Sequence, residues 1–143
     1  MMLKICNNKN CGFSLLEILI VMVILAIIVS IAIPTYSREI IKTRRSDAQT
    51  ALLNLAALME HYYLEHHSYL GASIGNHSTI SLAKISAHGY YKLSITTPTA
   101  VTYQLTATPI NTQSNDTQCR AFSIDQAGVK SVSGTASVEQ CWQ

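Results

Sequence analysis

The sequence predicts an α+β fold in which a long N-terminal helix packs on an antiparallel sheet of roughly four strands. Three observations support this prediction. Residues 13–33 form an almost wholly apolar run, residues 38–66 follow a helical period, and residues 101–108 alternate between apolar and polar side chains. With 143 residues, the chain is long enough for one domain and one membrane-crossing segment.

The apolar run 13–33 carries a single charge, that of Glu17. About 20 apolar residues are enough to cross a bilayer, and a helix is expected because lipid offers no partner to backbone polar groups. A carboxylate inside such a run is costly unless it is paired or protonated, so Glu17 is a candidate functional residue. The alternative is that the Glu17 side chain only extends to the membrane–water interface and has no partner role. Pro34 removes a helical hydrogen bond and predicts a kink or a loosened helix at the end of the run.

The helical pattern after the apolar run has a clear core-facing stripe. Its members recur at spacings of four and three, as on one face of a helix: Ala48, Leu52, Leu55, Met59 and Tyr62. Further apolar residues widen this surface: Leu53, Ala56, Ala57 and Leu58. The widening fits either a helix that also contacts neighbouring molecules or a broad core face.

Basic residues cluster at the start of this helical segment: Arg38, Lys42, Arg44 and Arg45. The cluster is interpreted as a solvated helix face. The functional alternative is contact with anionic lipid or with an acidic neighbouring subunit.

The rest of the chain predicts a loop followed by strands. Residues 67–89 have no regular period and are rich in glycine, serine and asparagine, which is typical of a loop. Strand patterns then occur over 91–95, 101–108, 121–124 and 129–132. A turn is predicted at 97–99 and another at 125–128, the latter with Gly128 at positive φ.

Gly12, Phe13 and Glu17, followed by the apolar run and Pro34, resemble the class III signal of type IV prepilins and pseudopilins. In that family a membrane-embedded aspartyl peptidase cuts after the glycine and methylates the new N-terminus. The resemblance implies a leader over 1–12, a transmembrane and assembly helix over 13–36, and a globular head over 37–143. It also implies that Glu17 neutralises the amino group of Phe13 in an adjacent subunit and so selects the packing register. Lys4 and Lys9 precede the span and favour a cytoplasmic N-terminus.

Several stretches of the head are similar to PilE-type minor pilins of Gram-negative bacteria and to the related DNA-uptake pilins: 46–49, 103–109, 116–119, 125–130 and 141–142. The resemblance implies a structural, minor subunit of a type IV pilus that supports adhesion, twitching motility or DNA uptake. Its expected partners are other pilin subunits, the prepilin peptidase and the inner-membrane pilus assembly platform. The subunit would wait in the inner membrane with its head in the periplasm and then enter the extracellular pilus.

The four cysteines fall into two pairs, Cys6 with Cys11 and Cys119 with Cys141. The first pair would be discarded with the leader. In the compartment that the resemblance implies, the second pair is expected to form a disulfide. Zinc is the alternative, although neither pair has the C-x-x-C spacing of a closed site. Trp142, next to Cys141, is expected to pack against the head. The functional alternative is that its ring stacks on a ligand.

The sequence contains no recognisable catalytic set, so an enzyme, a metal or a cofactor is not expected. The spacing of His61, His66 and His67 does not put all three on one helix face. The net charge of +2 is too small to indicate a nucleic-acid partner by itself. A DNA receptor for natural transformation remains an alternative, and its candidate contacts are Lys84, Lys92, Arg120 and Lys130. A type II secretion pseudopilin is a further alternative, but the major class of these typically lacks the cysteine pair and carries calcium.

Overall fold

The structure is a computed structural model that describes residues 14–142, without the side chains at positions 33–35 of its long helix. The chain divides into two compact units, Met1–Glu39 and Ile40–Gln143. The predicted leader and cleavage site, including Gly12 and Phe13, lie outside the described residues. So does the side chain of Pro34, although the backbone is helical at that position.

The N-terminal unit is the first part of helix α1 (Leu15–His66). This helix is long and apolar enough to cross a membrane, with an 18-residue window of mean hydropathy 3.2 and none of that window buried. In this first part of the helix the apolar side chains are exposed on every side, as for Leu15, Met22 and Ile31. A surface of this kind requires lipid or protein around it.

The head unit contains the second part of α1 and an antiparallel sheet. Its strands are β1 (Tyr91–Thr99), β2 (Thr102–Pro109), β3 (Phe122–Asp125) and β4 (Lys130–Val132), paired in the order β1-β2-β3-β4. A short 3-10 helix (Asn111–Asn115) follows β2, and helix α2 (Val138–Cys141) ends the fold. This architecture confirms the predicted α+β fold.

The predicted stripe on α1 forms the helix side of the core. Ala48, Leu52, Leu55 and Met59 have no exposed surface, and Tyr62 is 7% exposed. Across from them lie the inward-facing residues of the strands: Tyr91, Leu93, Tyr103, Leu105, Ala107, Phe122 and Ile124. The widened apolar surface is divided, because Ala56 and Leu58 pack against this core whereas Leu53 and Ala57 are exposed.

The turn predicted at 97–99 is wrong. Strand β1 continues to Thr99, which pairs with Thr102, so the connection is made by Ala100 and Val101. The register shifts between Thr96 and Thr99, around Pro98. A proline is tolerated at such an irregularity because no ladder hydrogen bond from its nitrogen is needed there. The turn at 125–128 is confirmed, with Gly128 at φ 76°.

Helix α2 was not predicted, although its signal is present. Ser137 caps it, with the Gln140 backbone N–H donating to the Ser137 hydroxyl and the Gln140 side chain accepting from the Ser137 backbone. This reciprocal pair is a capping box, which a serine three residues before a glutamine can indicate.

Glu60 joins the end of α1 to the loop and to the sheet. Tyr69 donates its hydroxyl to both Glu60 carboxylate oxygens at 3.0 Å, and Tyr103 donates to Oε1 at 3.1 Å. Burial and this carboxylate raise the pKa of Tyr69 to about 12, and burial raises the pKa of Tyr91 to about 12. Folding therefore keeps the phenols of Tyr69 and Tyr91 neutral up to a higher pH than in the unfolded chain.

We expect the head to lose stability at alkaline pH. A tyrosine whose pKa rises from 10.0 to about 12 on folding stabilises the folded state fully below pH 10. That contribution is lost as the pH rises through about 12, because the unfolded chain ionises first. Urea unfolding at a series of pH values should show a stability that is flat below pH 10 and falls above it. Tyr91→Phe should make the fall shallower, and an equally steep fall in that variant would contradict the assignment.

Candidate nucleic-acid interface

The structure separates the four candidate DNA contacts into two pairs. Lys84 and Lys92 lie at the β1 edge of the sheet, whereas Arg120 and Lys130 lie beside β3 and β4. Strands β1 and β4 are the opposite edges of this sheet. Three inter-strand spacings separate them, or roughly 14 Å. The four side chains therefore do not form one cluster.

At the β1 edge, the loop before the strand brings the backbones of Lys84 and Lys92 close together, but their side chains lie on opposite faces of the paired segments. Ile85 and Lys92 form an antiparallel bridge, and the Leu93 N–H donates to the Lys84 carbonyl at 2.7 Å. The aliphatic stem of Lys84 lies against Gly75, where an added Cβ would come within 2.7 Å of Lys84 Cε. The absence of a side chain at position 75 thus lets the lysine pack against the loop backbone.

Arg44 and two aromatic rings lie at the start of β1. The Arg44 guanidinium is centred 4.4 Å from the Tyr90 ring, and its Nη1 donates to Thr112 Oγ1 at 2.9 Å. The rings of Tyr90 and His88 are nearly parallel, at 13° with centroids 6.5 Å apart. Sequence reasoning missed this group because its members come from three separate segments.

Asp47 anchors the loop that carries His88. Its carboxylate accepts from Ser86 Oγ and from the His88 backbone N–H, and His88 Nδ1 lies 3.1 Å from Oδ1. Burial by itself raises the pKa of Asp47, but the hydrogen bonds from Ser86 and His88 outweigh it and hold the pKa below 3.8. Asp47 therefore stays ionised at neutral pH and fixes the loop against α1.

The interpretation of the basic cluster as one solvated helix face is wrong for Arg45. Its side chain is buried and forms a fork with Asp116, Nε–Oδ2 at 2.7 Å and Nη2–Oδ1 at 2.9 Å. Nη2 also donates to Gln118 Oε1 at 3.1 Å. Arg38 and Lys42 are exposed, whereas Arg44 is half-buried against Tyr90. No local pattern could indicate the ion pair, because its partners are 71 residues apart in sequence.

Beside β4, the C-terminal tail is fixed to the sheet. Cys119 and Cys141 form a disulfide, which confirms the predicted pair. Trp142 packs edge-on against Phe122 with centroids 5.6 Å apart, and its Nε1 donates to the Ser131 carbonyl. The indole thus packs against the head, as expected. The Lys130 ammonium lies 5.0 Å from the indole centre.

Arg120 precedes β3 in an unusual backbone conformation. Its φ is 52°, in the left-handed region that side-chain-bearing residues seldom adopt, and its N–H donates to the Asp116 carbonyl at 3.1 Å. The adjacent disulfide and the buried Asp116 hold this turn in place.

The histidines at the end of α1 do not converge on one site. His61 lies 3.7 Å from Glu65, His66 stacks on Tyr62, and His67 has a positive φ of 53°. Among residues 14–142, no group of three or more metal-ligating side chains is placed to hold a metal ion.

Comparison with known proteins agrees with this architecture. Residues 34–123 match the family described as type IV minor pilin ComP, DNA uptake sequence receptor, and residues 7–33 match the prokaryotic N-terminal methylation motif. A search of curated proteins finds no match.

Two solved structures are similar to the chain. A type IV pilin from Shewanella oneidensis is 27% identical, with a TM-score of 0.47, covering 63% of this chain and 89% of its own. The non-core minor pilin PilV of Neisseria meningitidis is 21% identical, with a TM-score of 0.51, covering 69% of this chain and 92% of its own. The second shows the same pilin fold. The sheet, the methylation motif and the family match over most of the head together show that this chain belongs to the ComP family of type IV minor pilins.

Proposed function

We propose that this minor pilin binds DNA through its head and acts as a receptor during DNA uptake. The observation that carries the proposal is the match of residues 34–123 to a family described as a DNA uptake sequence receptor. Exposed basic side chains on the head supply the chemistry, because lysine and arginine bind backbone phosphates and release counterions. The family match favours a pilus subunit over a secretion pseudopilin.

The outer face of the sheet adds hydroxyl groups to these cations. Lys92 pairs with Thr108, and Ser94 pairs with Thr106. Serine and threonine hydroxyls are common donors to phosphate oxygens in protein–DNA complexes. These contacts would position the duplex, and sequence would be read by other side chains at base edges.

The purified mature chain in detergent should bind a fluorescent duplex in an anisotropy titration. The logarithm of the binding constant should fall linearly with the logarithm of salt concentration, with a slope of about −0.9 for each phosphate neutralised. A duplex that carries the uptake sequence of the source organism should bind more tightly than a scrambled duplex of equal composition. Absence of salt-dependent binding to either duplex would rule out the proposed function.

We also propose that Gly12 and Phe13 form the cleavage site and that the prepilin peptidase leaves Phe13 as the first mature residue. The match of residues 7–33 to the methylation motif supports this. The apolar part of α1 would hold the subunit in the inner membrane, with the head in the periplasm, until the assembly platform inserts it into the filament. There the apolar surface would be buried against other pilins, and Glu17 would neutralise the Phe13 amino group of a neighbour.

Glu17→Ala and Glu17→Gln should both lower incorporation into pili. If the Glu17 carboxylate pairs with the Phe13 amino group of a neighbour, either change leaves the positive charge of that amino group unpaired in an apolar core. If Glu17 has no partner, Glu17→Ala should be harmless, because it removes a costly group from lipid. The measurement is the ratio of this subunit in sheared pili to that in membranes. Intact mass should show a mature chain starting at Phe13 in both variants, and an unchanged ratio in both would exclude the pairing.

A further inference from the structure

The two buried carboxylates of the head differ in their partners. In the part of the chain that the structure describes, the buried acidic residues are Asp47 and Asp116, which are 7% and 2% exposed. Asp116 is paired with the guanidinium of Arg45, whereas no described lysine or arginine forms an ion pair with Asp47. The cationic neighbour of Asp47 is His88, whose side chain is 74% exposed, so water weakens any ion pair between them. Asp47 thus carries a buried negative charge that the head itself compensates only weakly.

Hydrogen bonds fix the Asp47 carboxylate and leave it able to accept one more. The Ser86 hydroxyl donates to Oδ2, the His88 backbone N–H donates to Oδ1, and His88 Nδ1 lies 3.1 Å from Oδ1. A carboxylate has about four lone-pair sites, so Oδ2 can accept a second hydrogen bond. Arg44, nearly one turn earlier on α1, is engaged elsewhere, because its guanidinium lies over the Tyr90 ring.

A cavity of about 300 Å³ adjoins this carboxylate, between α1 and the loop before β1. Aliphatic side chains form much of its wall: Ala51, Leu82, Ala83, Ile85 and Leu93. Asp47 lines it as well, and the exposed side chains of Thr50 and Asn54 add a hydroxyl and an amide on the α1 side. This volume is at the small end of the range for ligand pockets, which suits one long side chain or one small organic ion.

The chemistry of the cavity selects a cation with an aliphatic stem. Lysine and arginine side chains combine an apolar stem with a charged end, and the cavity combines aliphatic walls with the Asp47 carboxylate. A phosphate or another anion would be repelled by the same carboxylate. The site is therefore distinct in its ligand from a surface that binds DNA.

We propose that this cavity receives a lysine or arginine side chain of a neighbouring pilin in the filament, with its cationic group on Asp47 and its stem against Ala51, Leu82 and Ile85. The inference rests on the proposed assembly into pili and does not depend on DNA binding. Ser86 and His88 fix the carboxylate in advance, so little conformational entropy is lost on the head side. A filament also holds neighbours at a high effective concentration, so a contact through one side chain can contribute there.

The first test uses two small probes, Nα-acetyl-lysinamide and its uncharged analogue Nα-acetyl-norleucinamide. They are titrated into the isotope-labelled mature chain in detergent, and the backbone amide signals of Ser86 and His88 are followed by NMR. The lysine probe should shift these signals saturably and should bind at least about 10-fold more tightly than the norleucine probe. Equal binding of the two probes, or no saturable shift, would overturn the proposal.

Matched variants separate the charge from the shape of the cavity. Asp47→Asn keeps the shape and removes the charge, so the two probes should then bind within about 2-fold of each other. Ala51→Leu adds bulk to the α1 wall of the cavity and should abolish binding of the lysine probe. Ala57→Leu is the control, because Ala57 is exposed on the same helix and does not line the cavity. A preference for the lysine probe that survives Asp47→Asn would contradict the proposal, and a melting curve shows that each variant is folded.

The second test examines the assembled filament. A photo-reactive phenylalanine analogue in place of Ala83, on the cavity wall, should cross-link in sheared pili to a pilin peptide that contains lysine or arginine. The same analogue in place of Ala127, in the turn before β4, is the control and should give little of this product. If the parent chain is present in pili but position 83 cross-links no more than position 127, this inference alone is overturned. A parent chain that never enters pili would overturn the proposed assembly as well.

Discussion

Replacing Arg45 by alanine is expected to destabilise the head by about 3–5 kcal/mol. The change leaves the Asp116 carboxylate, whose side chain is 1% exposed, without its cation. Asp116 Oδ1 also accepts from the Cys119 N–H, so an adjustment of this carboxylate disturbs the turn that leads to the disulfide. Removal of one partner from a buried ion pair is costly because the remaining charge keeps its desolvation penalty.

The measurement is urea unfolding of a head fragment, residues 40–143, which form a compact unit with their own core. Lys42→Ala is the control, since an exposed lysine nearby should change the stability by no more than about 0.5 kcal/mol. The double variant Arg45→Met with Asp116→Leu should recover much of the loss, because apolar residues of similar volume remove both buried charges. A loss below about 1 kcal/mol for Arg45→Ala would contradict the structural role of this pair.

Reduction of the Cys119–Cys141 disulfide is expected to cost the head about 3 kcal/mol of stability. The two cysteines are 22 residues apart. Their link restricts the unfolded chain over the segment that folds into the last hairpin and α2. In the folded head it also holds Trp142 against Phe122. For a domain of this size, the melting temperature should fall by more than about 10 °C.

Calorimetry of the head with and without reductant measures this difference. A variant with Cys119→Ser and Cys141→Ser should melt at the lower temperature in both conditions, because it has no disulfide to reduce. The oxidised head should show no reactive thiol, since these are the only cysteines after residue 40. Two titratable thiols in the oxidised head, or a melting temperature insensitive to reductant, would contradict the expected contribution.

Much of the fold follows from local patterns because burial repeats with the period of each element. The stripe from Ala48 to Tyr62 identifies the buried face of α1, and the alternation in 102–108 identifies the buried face of β2. The wrong turn prediction at 97–99 also relied on local composition alone. Thr-Pro-Thr is a common turn composition, but here pairing between Thr99 and Thr102 extends the strand past Pro98. Tertiary hydrogen bonding overrode the local propensity.

The sequence by itself determined the apolar segment that is long enough to cross a membrane, the unusual Glu17 within it and the core face of α1. The disulfide between Cys119 and Cys141 was expected from the compartment that the resemblance implies, and the structure confirms it. Only the tertiary structure decided which charged residues meet. Arg45 belongs to a basic cluster in sequence, yet it is buried against Asp116, 71 residues away. Lys92 and Lys130 both lie in strand patterns of the sequence, yet the fold places them on opposite edges of the sheet. Periodicity reports whether a side chain is buried, whereas its partner depends on segments that the topology brings together.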